Sequence, residues 1–146
     1  MNRRSFIRLS LLGVSAGIIV PKNIPAAQKP GQDRSKMAGG VYYTQEAPGR
    51  WAKKVSSHLP MIEKDSSTGD KTKVRVTTLH PMTGWEHFII KHILLDQNYK
   101  FIAENMFDPN KDSSPVSTFT VEKYTGPLYA LSVCNKHDTW LNVLDV

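Results

Sequence analysis

Only one cysteine, Cys134, stands among the 146 residues, which rules out an internal disulfide framework. It also rules out the structural zinc sites that need two to four thiolates. No apolar run reaches the ~20 residues of a spanning helix, and the nearest approach, Leu9 to Val20, is broken by Gly13 and Gly17. Internal repeats, low-complexity tracts and a sustained helical period are all missing from the part beyond that run. So is any Lys/Arg run interleaved with aromatics. The formal charge of +6 resembles a polyanion binder's, but Arg3, Arg4, Arg8 and Lys22 lie in a stretch without acidic residues. Beyond it 15 basic and 13 acidic side chains remain, a nearly balanced surface with no case for nucleic acid.

What is present begins at the N-terminus. Arg3-Arg4 followed by Leu9 to Val20, with Ala26-Ala27 as a small-residue cleavage region, resembles a twin-arginine signal peptide spanning 1–27. That resemblance implies the Tat export machinery as a partner and a periplasmic mature chain. The route carries folded proteins, often with a cofactor already inserted. In an oxidising compartment a lone thiol is exposed to oxidation, so Cys134 needs a reason to be there.

Residues 28–40 read as a linker, with Pro30, Gly31, Gly39 and Gly40 and no hydrophobic periodicity. From 41 to 146 the chain reads as one domain of short β-rich runs: Val74 to Leu79, His87 to Leu95, Tyr99 to Phe107, Val116 to Glu122, Leu128 to Val133 and Trp140 to Val146. Turn signals separate them at Ser66-Ser67-Thr68-Gly69-Asp70, Asp96-Gln97-Asn98, Asp108-Pro109-Asn110-Lys111-Asp112 and Thr125-Gly126-Pro127. Near-period-two alternation in Val116–Val121 and Tyr129–Val133 assigns one face to a core. The expectation is an all-β, antiparallel sandwich of six or seven strands.

Five histidines are available: His58, His80, His87, His92 and His137. Three of them stand beside turn signals at expected strand edges: His58 before Leu59-Pro60, His80 before Pro81, and His137 three residues after Cys134. Imidazoles on loops of a rigid sandwich are well placed to converge. Cys134-Asn135-Lys136-His137 puts a thiolate and an imidazole on one turn. Several imidazoles with one thiolate suit iron or copper better than structural zinc.

Three blocks then carry a resemblance in the right order: His58-Leu-Pro-Met-Ile-Glu63; His80-Pro-Met-Thr83 leading to Glu86-His87-Phe-Ile89; and Cys134-Asn-Lys-His137 followed by Trp140. They resemble the iron domain of the superoxide reductases, the neelaredoxin and desulfoferrodoxin family, from about Trp51 onward. The resemblance implies an immunoglobulin-like sandwich of about seven strands. It implies one mononuclear iron held by His58, His80, His87, His137 and Cys134, and reduction of superoxide to hydrogen peroxide. His92 is left out, because strand alternation sets it on the face opposite His87. A second, rubredoxin-like iron centre would need four more cysteines, so the resemblance implies an external electron-donor protein. Exposed strand edges make a homo-oligomer an expectation as well.

The sequence departs from the family at two places. Ser56-Ser57 occupies the position of a Glu-Lys pair before the first histidine, and Lys54, with Lys53 beside it, is the nearest candidate to attract superoxide. Six residues rather than five separate His80 from His87, with Gly84 as the residue able to absorb the extra one. Trp85 is expected to pack at the edge of the site, and backbone N–H groups near Asn135 to point at the sulfur. Loss of the Glu-Lys pair motivates an alternative: an iron-containing electron-transfer or small-ligand-binding module of the same fold.

Overall fold

The computed structural model describes residues 36–146; the signal segment and most of the linker lie outside the described residues. A 3-10 helix, Gly49–Lys54, runs directly into a single α-helical turn, α1 (Val55–His58). Seven strands follow: β1 (Met61–Thr68), β2 (Lys71–Thr77), β3 (Ile89–Leu95), β4 (Phe101–Met106), β5 (Val116–Glu122), β6 (Pro127–Cys134) and β7 (Thr139–Asp145). They form two antiparallel sheets, β1-β2-β5 and β4-β3-β6-β7, the all-β sandwich the sequence implied.

Alternation explains the core. In β5 the buried positions are Ser117, Phe119 and Val121, with Val116, Thr118 and Thr120 turned outward. Phe119 and Val121 join Ile62, Val74, Val76, Leu94, Leu128 and Ala130 in one cluster drawn from both sheets. A fully buried Val or Leu contributes about 1.5–3 kcal/mol relative to exposure, so this cluster is the main force holding the sheets together.

The strand bounds differ from the sequence reading in instructive ways. The expected turn Ser66 to Asp70 is mostly strand: Thr68 pairs with Lys71, and only Gly69-Asp70 turns, with Gly69 at φ 57°. A run of small polar residues reads as loop, but on an edge strand with a solvated face it needs no apolar partner. His87 precedes β3 instead of starting it, and His58 ends a helical turn rather than a strand edge. The helical stretch went unseen because ten residues give too few turns to show a period.

The registers Met61↔Thr77, Ile89↔Cys134 and Val133↔Thr139 bring three connections to one end of the sandwich. These are the helical turn before β1, the 78–88 segment between β2 and β3, and the turn between β6 and β7. They carry His58; His80 and His87; and Cys134 with His137. Convergence of the singled-out residues is therefore a result of strand pairing.

Candidate metal centre

Each converging side chain is set by its own backbone. His58 is buried at 1% exposure and its Nδ1 lies 3.2 Å from the Lys54 carbonyl and 2.8 Å from Ser57 Oγ. A carbonyl only accepts, so Nδ1 carries the proton and Nε2 keeps its lone pair. His80 does the same, donating Nδ1–H to the Pro81 carbonyl at 2.6 Å. In the short Cys134–His137 turn the nearer ring nitrogen, Nδ1, is the one presented to the cluster.

The presented nitrogens meet closely. His80 Nε2 is 3.0 Å from His87 Nε2, His87 Nε2 is 2.9 Å from His137 Nδ1, and His137 Nδ1 is 2.9 Å from His58 Nε2. Neighbouring rings cross at 70–89°, whereas His58 and His87, across the cluster, are within 26° of parallel. Cys134 Sγ, 4% exposed as a residue, lies 3.7 Å from His137 Nδ1. Ligand atoms of His58, His87, Cys134 and His137 all fall within 4.8 Å of one another, and His80 adjoins them through His87.

Hydrogen bonding alone does not account for this geometry. Each ring nitrogen has one proton or one lone pair, so a chain of three contacts among four nitrogens supports two hydrogen bonds at most. A cation at the middle satisfies all of them: donors about 2.1 Å from a common centre and at right angles stand about 3.0 Å apart. The donor set therefore fits a metal ion, and imidazoles with one thiolate suit a redox metal such as iron or copper.

Electrostatics keeps the imidazoles ready for a cation. Burial, followed by the neighbouring histidines, lowers His58 to about 3. Burial is also the first cause for His80, His87 and His137, all lowered from 6.5. Positive charge from Lys54 contributes at those three, and Lys136 contributes at His87 and His137. At neutral pH the lone pairs are free, and a metal need displace no imidazolium proton.

Surrounding residues fix the loops. Asn135 donates Nδ2–H to the carbonyls of Trp85 and Glu86, both at 3.1 Å, and accepts from the Phe88 N–H at 3.0 Å. One amide thus ties the Cys134 turn to the segment carrying His87. The N–H aimed at the sulfur is that of Lys136, at 3.5 Å, while the Asn135 N–H goes to the Phe88 carbonyl. Trp140, fully buried, donates to the His137 carbonyl at 2.9 Å and packs 6.0 Å from the His58 ring.

Trp85, expected at the site edge, is 60% exposed and packs on Phe88. Besides Trp140, Trp51 stands against the cluster at the His137 ring, a contact the sequence does not announce because the two residues lie far apart along the chain. His92 stands apart, bonded to Thr78 and Ser117. Gly84 takes φ 83° in open space, the left-handed turn that lengthens the His80–His87 loop. Lys54, at the N-cap of α1, is half-buried, whereas Lys53 lines a neighbouring groove with Ser56, Leu59 and Leu79.

Fold and site together define a β-sandwich protein with a histidine-rich, single-thiolate cluster able to hold a metal ion. The chain belongs to the desulfoferrodoxin family, whose model matches residues 50–143. Among solved structures it is similar to the superoxide reductase (neelaredoxin) of Ignicoccus hospitalis, at 27% identity and TM-score 0.61, covering 74% of this chain and 95% of that one. A hypothetical protein from Pyrococcus horikoshii matches at 29% identity and TM-score 0.53, covering 62% of this chain and 89% of that one. A superoxide reductase in the oxidised state matches at 29% identity and TM-score 0.52, covering 61% and 87%. Curated protein sequences contain no significant match.

Proposed function

We propose that this chain is an exported mononuclear non-haem iron protein that reduces superoxide to hydrogen peroxide with electrons from an external donor protein. The observation that carries the reading is the nitrogen cluster. Carbonyls of Lys54 and Pro81 set two tautomers so that Nε2 lone pairs meet two more ring nitrogens beside a buried thiol. On this reading His58, His80, His87 and His137 hold iron through nitrogen and Cys134 through sulfur. Iron held there would supply one electron in passing from ferrous to ferric, and each superoxide would take that electron and two protons to become hydrogen peroxide.

The chain's own contribution is preorganisation and charge. Burial keeps the imidazoles neutral, and the short loops hold them at metal-ligand spacing without further rearrangement. Lys54, whose charge is felt at three of the histidines, draws the superoxide anion. The Arg3-Arg4 segment supports Tat export to the periplasm, with residues 28–40 as linker and 41–146 as the iron domain.

One observation favours a second reading. The Ser57 hydroxyl is engaged with Lys54 O and His58 Nδ1, and Ser56 lines the groove, so neither supplies the charge of a Glu-Lys pair. An electron-transfer or small-ligand-binding protein would tolerate that. The experiment loads the full chain with iron, records the thiolate-to-ferric absorption band, and mixes the ferrous form with a superoxide pulse. Rapid oxidation with stoichiometric peroxide is expected. Oxidation no faster than superoxide decays in solution leaves the second reading. A Cys134→Ser protein retaining the band removes the thiolate from the ligand set.

A further inference from the structure

Between the two sheets lies a polar network that the metal cluster does not use. His92, Thr78, Ser117 and Ser132 are at most 3% exposed and are linked by three contacts of 2.9 Å. Thr78 Oγ1 donates to Ser132 Oγ, so it accepts from His92 Nε2–H, and His92 Nδ1 accepts from the Ser117 hydroxyl. The chain of donors runs one way, from β5 through β3 to the segment after β2 and on to β6. Burial lowers His92 to about 4, which keeps it in the neutral state this chain requires.

The network reaches the metal cluster from two directions. Thr78 is held by its side chain at two contacts and by its N–H, which donates to the Pro115 carbonyl at 3.1 Å. Its carbonyl accepts the His80 N–H at 2.8 Å, so the backbone bearing His80 hangs from Thr78. On its other side the His92 ring stands edge-on to Phe107, with centroids 5.0 Å apart. Phe107 packs with Ile89 and Cys134 in a second small core cluster. His92 therefore stands between the segment carrying His80 and the packing under Cys134.

We propose that His92 is a positioning residue for the metal centre. It sets the His80 segment through Thr78 and the sulfur's surroundings through Phe107. An apolar side chain would fill the same volume, but it would leave Thr78 and Ser117 with unmet hydrogen-bonding groups in the core. A fully satisfied buried network has one low-energy arrangement, so it transmits a defined position where apolar packing allows small slides. This inference rests on the five-residue metal centre proposed above.

The test uses cobalt(II) as a spectroscopic probe in the full chain, with affinity read by chelator competition and the thiolate-to-cobalt band in the near ultraviolet. His92→Leu is expected to weaken cobalt about tenfold, the low end for loss of a residue that orients ligands, and to shift the band. His92→Gln, whose amide reaches Thr78 in place of Nε2, is expected to recover most of the affinity. Leu94→Ala, a core change on the same strand, controls for stability and is expected to leave affinity and band unchanged in the folded protein.

If His92→Leu does not fold, Thr78→Val and Thr78→Ser carry the comparison. Val lacks the hydroxyl and is expected to behave as His92→Leu was predicted to; Ser keeps it and is expected to behave as wild type. A folded His92→Leu or Thr78→Val protein with wild-type affinity and band overturns the inference while leaving the metal centre intact. Wild-type protein that binds cobalt without a thiolate band overturns the metal centre, and this inference with it.

Discussion

Trp51 stands edge-on to the His137 ring, with centroids 4.6 Å apart and planes at 86°. Its indole Nε1–H donates to Asp138 Oδ2 at 2.8 Å, the same oxygen that accepts from Arg50 at 2.6 Å. The helical turn that precedes His58 is thereby clamped to the turn that carries His137. Both bonds favour the ionised carboxylate, and the Trp51 bond is the larger cause holding Asp138 below its ordinary range.

Trp51→Phe keeps the wall against His137 and loses the bond to Asp138. A cost of about 1 kcal/mol is expected, reduced from a buried charge-assisted bond by partial exposure. Trp51→Ala removes the wall as well, and should cost about 2–3 kcal/mol and speed metal release. Urea denaturation and chelator-driven release rates check the two effects separately.

Gly49 has φ 48°, and a Cβ there would overlap the Gly39 carbonyl just before the ligand-bearing turn. Gly84 also has positive φ, 83°, but a Cβ there meets nothing. Gly84→Ala should therefore cost only the conformational strain, about 1 kcal/mol. Gly49→Ala should cost at least about 2 kcal/mol, because strain and overlap add. Thermal unfolding of the two proteins side by side tests the ranking.

His92 makes apo-protein stability depend on pH with a definite sign. Its folded pKa is lowered to about 4, while the unfolded chain takes up the proton near 6.5. The contribution is fully present above pH 6.5 and is lost as pH falls toward 4, by roughly 3 kcal/mol in all. The lowered cluster histidines act with the same sign in apo protein. The His92 share is the difference between wild-type and His92→Leu unfolding curves across that window; parallel curves would contradict it.

Lys54→Ala should slow oxidation of the ferrous protein by a superoxide pulse about tenfold, and Lys54→Arg should restore most of it. Lys53→Ala should change the rate little, because Lys53 lines the groove beside α1. Pulse radiolysis at two ionic strengths checks this: the wild-type rate should fall with salt, and the Lys54→Ala rate should depend on it less.

Much of the architecture was legible in local pattern. Val116–Glu122 was readable as a strand because its alternation is a direct imprint of one buried face. Met61–Thr68 was not, since all of its last six residues are polar and an edge strand can remain solvated. The alternation argument set His92 apart from His87 although His87 lies outside β3; His92 is separate because its nitrogens are bonded within the core. Trp85, expected at the site edge, is exposed on Phe88, and Trp51 is the tryptophan against His137, because nearness along the chain is a poor guide to which loop folds over which.

By itself the sequence determined the residue types available for chemistry: one thiol, five imidazoles and turns that put most of them on loops. Those choices are local, because donor chemistry belongs to a side chain and turn chemistry to two or three neighbours. Tertiary structure alone decided that four imidazole nitrogens meet at 2.9–3.0 Å beside Cys134. It also decided that Lys54 rather than Lys53 acts on the cluster, and that Trp51 and Asn135 brace it. The contacts of Trp51 with Asp138, Asn135 with Phe88 and His58 with His137 join positions 87, 47 and 79 residues apart, and the registers of the paired strands bring such positions together.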